Sequence, residues 1–348
     1  MAVVDLPRSR PAGTTEIPVT QQGGGLQLYA GRVRELPRAF TPYGWAMSTV
    51  EAARIAGIEP SDVLRFDGNT PPTPPEYARP ETLAPALAEI QRYPHGGFPG
   101  LIDSISEYAG VEPERIVLGA GADDLLLLCA RSFAGPGDVV RVVDEPTYPL
   151  LRIAAWLAGA DVGDDDAVVT FCCRPHNPTG ALVALPKERP LVVDEAYHEY
   201  CGDTAIGLDG VVVVRTFSKA FALAAARVGY AVADAETAGR LRVRQDPLPL
   251  TTLSAALALA ALRAGPPDVS ETLGERERLA AELRAIGLEP LPSHANFLYV
   301  PTAAAQKTYD RLLREGLVVR PFPDAIRITV HEPDANDRLL RALEQADR

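Results

Sequence analysis

Between residues 101 and about 262, short runs rich in β-branched residues (115–118, 139–143, 168–172, 191–193 and 211–214) alternate with stretches of helical composition. The runs are apolar throughout rather than alternately apolar and polar, so each must be covered on both faces. That is the pattern of strands in a parallel sheet flanked by helices. In such sheets ligands bind beyond the carboxyl ends of the strands, so the residues that follow each run are the first candidates for chemistry. A hydrophobic content of 47% over 348 residues supports one large domain plus a smaller one.

The rest of the chain reads differently. Residues 1–40 are rich in Pro, Gly and Thr, with Gly23, Gly24 and Gly25 in succession, and are expected to form an arm. A helical pattern covers 49–58, and a proline-dense segment (Pro71, Pro72, Pro74, Pro75) must be extended. After the Gly265-Pro266-Pro267 break come a charged helix over 270–286, a strand over 296–300, a further helix, a strand over 325–330 and a C-terminal helix. The expected organisation is an arm (1–40), a small α+β domain (41–65 with 266–348) and a large domain (66–265).

Composition excludes several function classes. No apolar run approaches the roughly 20 residues of a membrane span. The first residues, with Asp5, Arg8 and Arg10 among prolines, lack the apolar stretch of a signal peptide, so a cytoplasmic protein is expected. Cys129, Cys172, Cys173 and Cys201 have neither zinc-ligand nor disulfide-framework spacing, so reduced thiols and no metal are expected. A formal charge of −12 argues against a nucleic-acid partner. It also means that an anionic ligand must be held by particular arginines and helix N-termini against the global field.

The run from Thr216 to Arg227 places a hydroxyl (Ser218), an amine (Lys219) and a guanidinium (Arg227) at fixed offsets among apolar residues. Desolvation lowers the pKa of such a lysine and makes a neutral, nucleophilic amine accessible for Schiff-base chemistry. Ser218 and Arg227 suit a phosphate. The competing reading is a surface lysine at the start of an amphipathic helix. Gly119-Ala120-Gly121-Ala122-Asp123-Asp124 follows a strand and opens a helix, so its N–H groups suit a phosphate, and equally suit ordinary capping. Tyr148 reads as a stacking platform or a structural tyrosine. Asn177, in His176-Asn177-Pro178-Thr179-Gly180, is a phenolic-oxygen ligand or part of a simple turn. Asp194, closing an apolar strand in Asp194-Glu195-Ala196-Tyr197, needs a cationic partner if buried, and a protonated pyridine nitrogen would supply it; a capping Asp is the alternative. Tyr197 is placed to reach the same ligand.

In this order the motifs resemble the fold type I pyridoxal phosphate enzymes, in the class I/II aminotransferase superfamily, from about Leu36 to the C-terminus. Within it they are most similar to the histidinol-phosphate aminotransferases, through Gly121-Ala122-Asp123-Asp124, the 218–227 run, Arg92-Tyr93-Pro94, Ala295-Asn296-Phe297 and Arg327-Ile328-Thr329-Val330. The resemblance implies a three-layer α/β/α large domain with a mainly parallel sheet plus a smaller α+β domain, and pyridoxal 5′-phosphate as cofactor. It makes Lys219 the Schiff-base lysine and Asp194 the partner of the pyridine nitrogen. Asn177 and Tyr197 would bond the phenolic oxygen, and Tyr148 would stack on the ring. Ser218, Arg227 and the backbone of Ala122 and Asp123 would bind the cofactor phosphate, with Tyr93 reaching it from a neighbouring subunit. A homodimer with shared sites is therefore implied. On the substrate side Arg327 would hold an acidic group, with Tyr43, Arg320 and Asn296 as companions.

The implied reaction moves an amino group from a small amine, with histidinol phosphate the leading candidate, to 2-oxoglutarate. A decarboxylase of a phosphorylated amino acid and a transaminase of aromatic or other amino acids share the same motifs. A cofactor-sensing DNA-binding regulator does not fit, because residues 1–40 are too short and proline-rich for a helix-turn-helix. The chain departs from the family pattern in shortened segments at 159–177 and 180–194, and in His176, where Asn is common.

Overall fold

The computed structural model describes residues 36–37, 40–94 and 96–344, so the expected arm lies almost wholly outside the described residues. The architecture that follows belongs to the compact unit spanning 39–348. A short strand, β1 (Leu64–Arg65), precedes the central sheet. That sheet contains β2 (Ile116–Gly119), β3 (Val139–Val142), β4 (Asp161–Val162), β5 (Ala167–Cys173), β6 (Leu191–Asp194), β7 (Val211–Thr216) and β8 (Gly229–Val232), in the order β2-β8-β7-β6-β5-β3-β4. Every neighbouring pair is parallel except those made by β8, which runs antiparallel to both β2 and β7. The five apolar runs all form strands. The sequence reading missed β8 because Gly229 and Ala231 dilute its β-branched character.

Strand residues divide between the two faces with period two. Val192, Val212 and Val214 pack with Leu125, Leu126 and Leu151 of the helices Ala122–Phe133 and Pro149–Ala158. Leu191, Val193, Val211 and Val213 point the other way. Towards the β2 edge that second face is closed by Leu101, Ile105, Ala258 and Ala261 of the helices Pro99–Ala109 and Thr252–Arg263. The result is three layers, helix on sheet on helix, as an all-apolar strand requires.

Beyond residue 265 come the helix Ser270–Ala285, β9 (Phe297–Pro301), the helix Ala305–Arg314, β10 (Leu317–Val318), β11 (Arg320–Phe322), β12 (Ala325–Thr329) and the helix Pro333–Glu344, of which all but β10 and β11 were expected. β11, β12 and β9 form an antiparallel sheet in that order, and β10 pairs with β1 in parallel. Ile326 and Ile328 of β12 pack with Leu298 and Val300 of β9 and with Leu279, Leu283 and Leu339 of the helices. The short strands β1, β4, β10 and β11 were not expected; runs of two or three residues carry too little periodicity to read.

All seven strands serve one edge. The parallel strands end there, and β8 begins there because it is antiparallel, with Gly229 opposite both Gly119 and Thr216. A Cβ on Gly229 would sit 2.8 Å from the Gly121 carbonyl carbon and 2.7 Å from the Arg215 oxygen, so only glycine lets the β2 turn close over β8. No helix among the described residues is long and apolar enough to cross a membrane.

Candidate active site

The carboxyl edge of the central sheet opens into a cavity of about 580 Å³. Of the residues singled out from sequence, Tyr43, Ala122, Asp123, Tyr148, Asn177, Asp194, Tyr197, Ser218, Lys219, Arg227, Arg320 and Arg327 line it. Asn296 is buried behind the wall, where its amide donates to the Asn69 carbonyl at 3.2 Å. Tyr93 is 74% exposed and does not line this chain's cavity.

One end is built for an anion. The helix Ala122–Phe133 starts at Gly121, whose φ of +83° and missing Cβ admit the Arg227 guanidinium; a Cβ there would lie 2.6 Å from Nη2. Arg227, itself left-handed at φ +51°, donates to Ser218 Oγ at 3.4 Å and to Asp123 Oδ2 at 3.2 Å. Thr216 Oγ1 donates to Ser218 Oγ at 2.9 Å and fixes that hydroxyl. A guanidinium, a hydroxyl and free N–H groups at a helix N-terminus are the donor chemistry of a phosphate site. Tyr148 donates to Asp123 Oδ1 at 2.9 Å and sets its ring edge-on to Tyr43 at 6.2 Å.

Two adjacent carboxylates end β6 and meet opposite fates. Glu195, buried, accepts from Arg215 at 3.0 Å, from Thr204 Oγ1 and from the Ala205 N–H. Asp194 is equally buried but faces the cavity, accepting from the Ala196 N–H at 3.1 Å and weakly from Cys173 Sγ at 3.8 Å, with no ion pair among the described residues. Burial, reinforced by the negative charge of Asp123, pushes its carboxyl up to about 7. The structure thus leaves one buried carboxylate short of a cation, at the mouth of a cavity that can bring one.

Lys219 lies in a turn rather than at the start of a helix. Phe217 and Phe221 pack 4.7 Å apart beneath the turn, and backbone bonds from Ala222 to Lys219 and from Leu223 to Phe217 close it. Its Nζ donates to the Gly68 carbonyl at 3.2 Å and sits 5.7 Å from the Tyr197 ring centre. Burial, helped by the charge of Arg327 and opposed by the nearby carboxylates, lowers the amine to about 8. A neutral amine is accessible near physiological pH.

The opposite wall comes from the antiparallel sheet. Register places Arg320 directly across from Arg327, although like charges facing each other destabilise a ladder. Arg327 donates to Asn177 Oδ1 at 2.6 Å and to the Asp67 carbonyl at 2.9 Å, and its planar face lies over Phe297 and Phe322. Among the described residues its buried Nε has no hydrogen-bond partner. Two facing arginines on the cavity lining supply the donor chemistry that an anion would need. The sequence reading missed Asn69 on this wall: 1% exposed and at φ +52°, it donates from Nδ2 to the Tyr197 hydroxyl at 2.9 Å. The only signal was an Asn next to Gly68, ahead of the proline-dense stretch.

Comparison with known proteins accounts for this arrangement. Residues 161–343 match the family model of aminotransferase class I and II. The chain is 34% identical over 353 residues to histidinol-phosphate aminotransferase 2 of Pseudomonas aeruginosa, covering 87% of this chain and 94% of that protein. The chain belongs to the class I and II aminotransferases. It is also 33% identical to the histidinol-phosphate aminotransferase of Staphylococcus haemolyticus, over 75% of this chain and 85% of that one. The crystal structure of histidinol-phosphate aminotransferase from Sinorhizobium meliloti in complex with pyridoxal-5′-phosphate superposes with a TM-score of 0.75 at 25% identity, covering 88% of this chain and 97% of that one. This aminotransferase is therefore a fold type I, pyridoxal 5′-phosphate-dependent transaminase acting on a small-molecule amine and an oxo acid. The donor set fits the cofactor at both ends: phosphate donors on one side, and on the other a buried carboxylate lacking a cation beside an accessible amine. Among the described residues no group of three His, Cys, Asp or Glu is placed to hold a metal ion.

Proposed function

We propose that this aminotransferase uses histidinol phosphate, or an amine of the same phosphorylated form, as amino donor and 2-oxoglutarate as acceptor. The observation that carries the reading is the facing pair Arg320 and Arg327, which both line the cavity on the sheet opposite the wall that holds Ser218 and Arg227. A cavity with anion sites at both ends suits a phosphorylated cofactor at one and a phosphorylated substrate at the other. The printed names of the curated relatives support the same donor.

When bound, pyridoxal 5′-phosphate supplies an aldehyde for amine exchange and a ring that accepts electron density from the substrate carbon. Ser218, Arg227 and the Ala122 and Asp123 N–H groups bind its phosphate. Tyr148 stacks on the ring. Asp194 keeps the ring nitrogen protonated and gains there the cation that its burial demands. Asn177 spends its carbonyl on Arg327, which leaves its Nδ2 to join the Tyr197 hydroxyl as a donor to the phenolic oxygen. Lys219 would hold the cofactor through its amine and, as a neutral amine, would serve as the base for the proton on the donor's amine-bearing carbon. Arg327 and Arg320 bind the donor's anion, with Tyr43 beside them, while Asn296, behind the wall, holds the Asn69 carbonyl rather than the substrate.

The exposed Tyr93, with Leu87 and Ile90 exposed on the same stretch, suits a homodimer in which Tyr93 completes the phosphate site of the other copy. The division into an arm, a small α+β domain and a large domain, and a cytoplasmic location, belong to the same reading. Glutamate formation from 2-oxoglutarate with a panel of amines tests it. Histidinol phosphate should be preferred over histidinol by at least tenfold in kcat/KM. Equal use of both would overturn the phosphate assignment, and release of carbon dioxide from a phosphorylated amino acid would point to decarboxylation instead.

A further inference from the structure

Tyr197 can donate to the cofactor only if its hydrogen points into the cavity, and a tyrosine hydroxyl rotates freely unless something holds it. Among the described residues its hydrogen-bond partner is Asn69, whose Nδ2 donates to the phenolic oxygen at 2.9 Å. An amide nitrogen cannot accept, so the Tyr197 oxygen is committed as acceptor on that side and its own hydrogen is turned away from Asn69.

Asn69 is held for this task from the far end of the chain. Its backbone N–H donates to Thr329 Oγ1 at 2.9 Å, its Oδ1 lies 3.2 Å from that hydroxyl and shares its single hydrogen with the Phe66 carbonyl, and its own carbonyl accepts from Asn296. Thr329 is anchored in turn to the Phe66 carbonyl at 2.8 Å. The left-handed φ of +52° is a conformation that Asn tolerates better than most residues, and it aims the amide at Tyr197.

We propose that Asn69 is a positioning residue that fixes the Tyr197 hydroxyl as a donor into the cofactor cavity, so that the antiparallel sheet sets the proton affinity of the cofactor through Thr329, Asn69 and Tyr197. This rests on the reading above that Tyr197 bonds the phenolic oxygen. A donor to that oxygen stabilises its anionic form, and losing the donor raises the pH midpoint of the bound cofactor's visible absorption.

The test is a spectrophotometric pH titration of the holoenzyme and three variants, Asn69→Gly, Asn69→Asp and Tyr197→Phe, together with the two double variants. Glycine and aspartate both accept the left-handed backbone, and thermal melts confirm folding. Asn69→Gly should raise the midpoint by roughly half to one pH unit, a three- to tenfold change in proton affinity. That shift should vanish in the Tyr197→Phe background. Asn69→Asp, whose carboxylate captures the Tyr197 hydrogen, should raise the midpoint more with Tyr197 present than with Phe. A wild-type midpoint in Asn69→Gly, or the same shift in both backgrounds, would overturn the proposal while leaving the role of Tyr197 intact. A wild-type midpoint in Asn69→Asp would show that Tyr197 gives its hydrogen to position 69, against the proposal. An unmoved midpoint in Tyr197→Phe alone would remove the underlying reading as well.

Discussion

The two walls of the cavity are built on different principles. The wall made by the central sheet takes its groups in chain order from successive strand ends: Ala122 and Asp123 after β2, Tyr148 after β3, Asn177 after β5, Asp194 at the end of β6, Ser218 and Lys219 after β7, and Arg227 just ahead of β8. The wall made by the antiparallel sheet is tied together across the chain. Asn69 and Thr329 are 260 positions apart, and Arg327 reaches Asn177 across 150. The first wall is thus fixed by the topology of one sheet, and the second by contacts between distant segments. In the proposed division of labour the first holds the cofactor and drives chemistry, while the second selects the donor.

The largest effect should come from Lys219→Ala, which removes the base on the sheet wall. Turnover should fall by roughly 10³-fold or more, measured as glutamate formation at saturating substrates. Asp194→Asn should follow, slowing the stopped-flow half-reaction by about 10- to 100-fold, the equivalent of losing a charge-assisted hydrogen bond of ~1.5–3 kcal/mol. Cofactor should still bind. Near-normal turnover would reduce Asp194 to a structural cap.

On the opposite wall Arg327→Ala should raise KM for the phosphorylated donor by about tenfold while the cofactor stays bound. Arg320→Ala, which leaves the Arg327 donation to Asn177 Oδ1 in place, should raise it less. If Arg327→Ala instead stripped the cofactor, the division between the walls would fail.

The smallest effect is on the pH dependence of apoenzyme stability. Asp194 is raised to about 7 from 3.8, so between those values the folded state binds the extra proton and Asp194 makes stability fall as pH rises. Lys219 is lowered to about 8 from 10.5, so between those values the unfolded state binds the extra proton and Lys219 makes stability rise with pH. Thermal melts of apo Asp194→Asn against wild type should therefore show the variant gaining relative stability from pH 4 to pH 7. A constant difference would mean that Asp194 is not strained in the empty site.

The same contrast explains what could be read from sequence. The apolar runs, the turn residues beyond them and Lys219 were legible because each motif is contiguous and sits where a parallel strand ends. β8 was not, because Gly229 is there to let the Gly121 turn approach, and a residue chosen for absence of bulk leaves no propensity signal. The family resemblance supplied Arg320 and Arg327 but not their pairing. Arg320 stands opposite Arg327 only through the register of β11 on β12, which two or three residues cannot encode visibly. Asn69 was missed because its partners, Tyr197, Thr329 and Asn296, come from three remote segments. The paired fates of Asp194 and Glu195 were likewise hidden, since the partner that satisfies Glu195 is Arg215 on the next strand.

The most direct test of the whole assignment is covalent. The chain has three lysines, Lys187, Lys219 and Lys307, and the first and last are exposed to solvent. Borohydride reduction of the holoenzyme followed by peptide mapping should place the reduced cofactor on the peptide carrying Lys219 and nowhere else. Label on Lys187 or Lys307, or its absence from Lys219, would contradict a site built around the turn after β7.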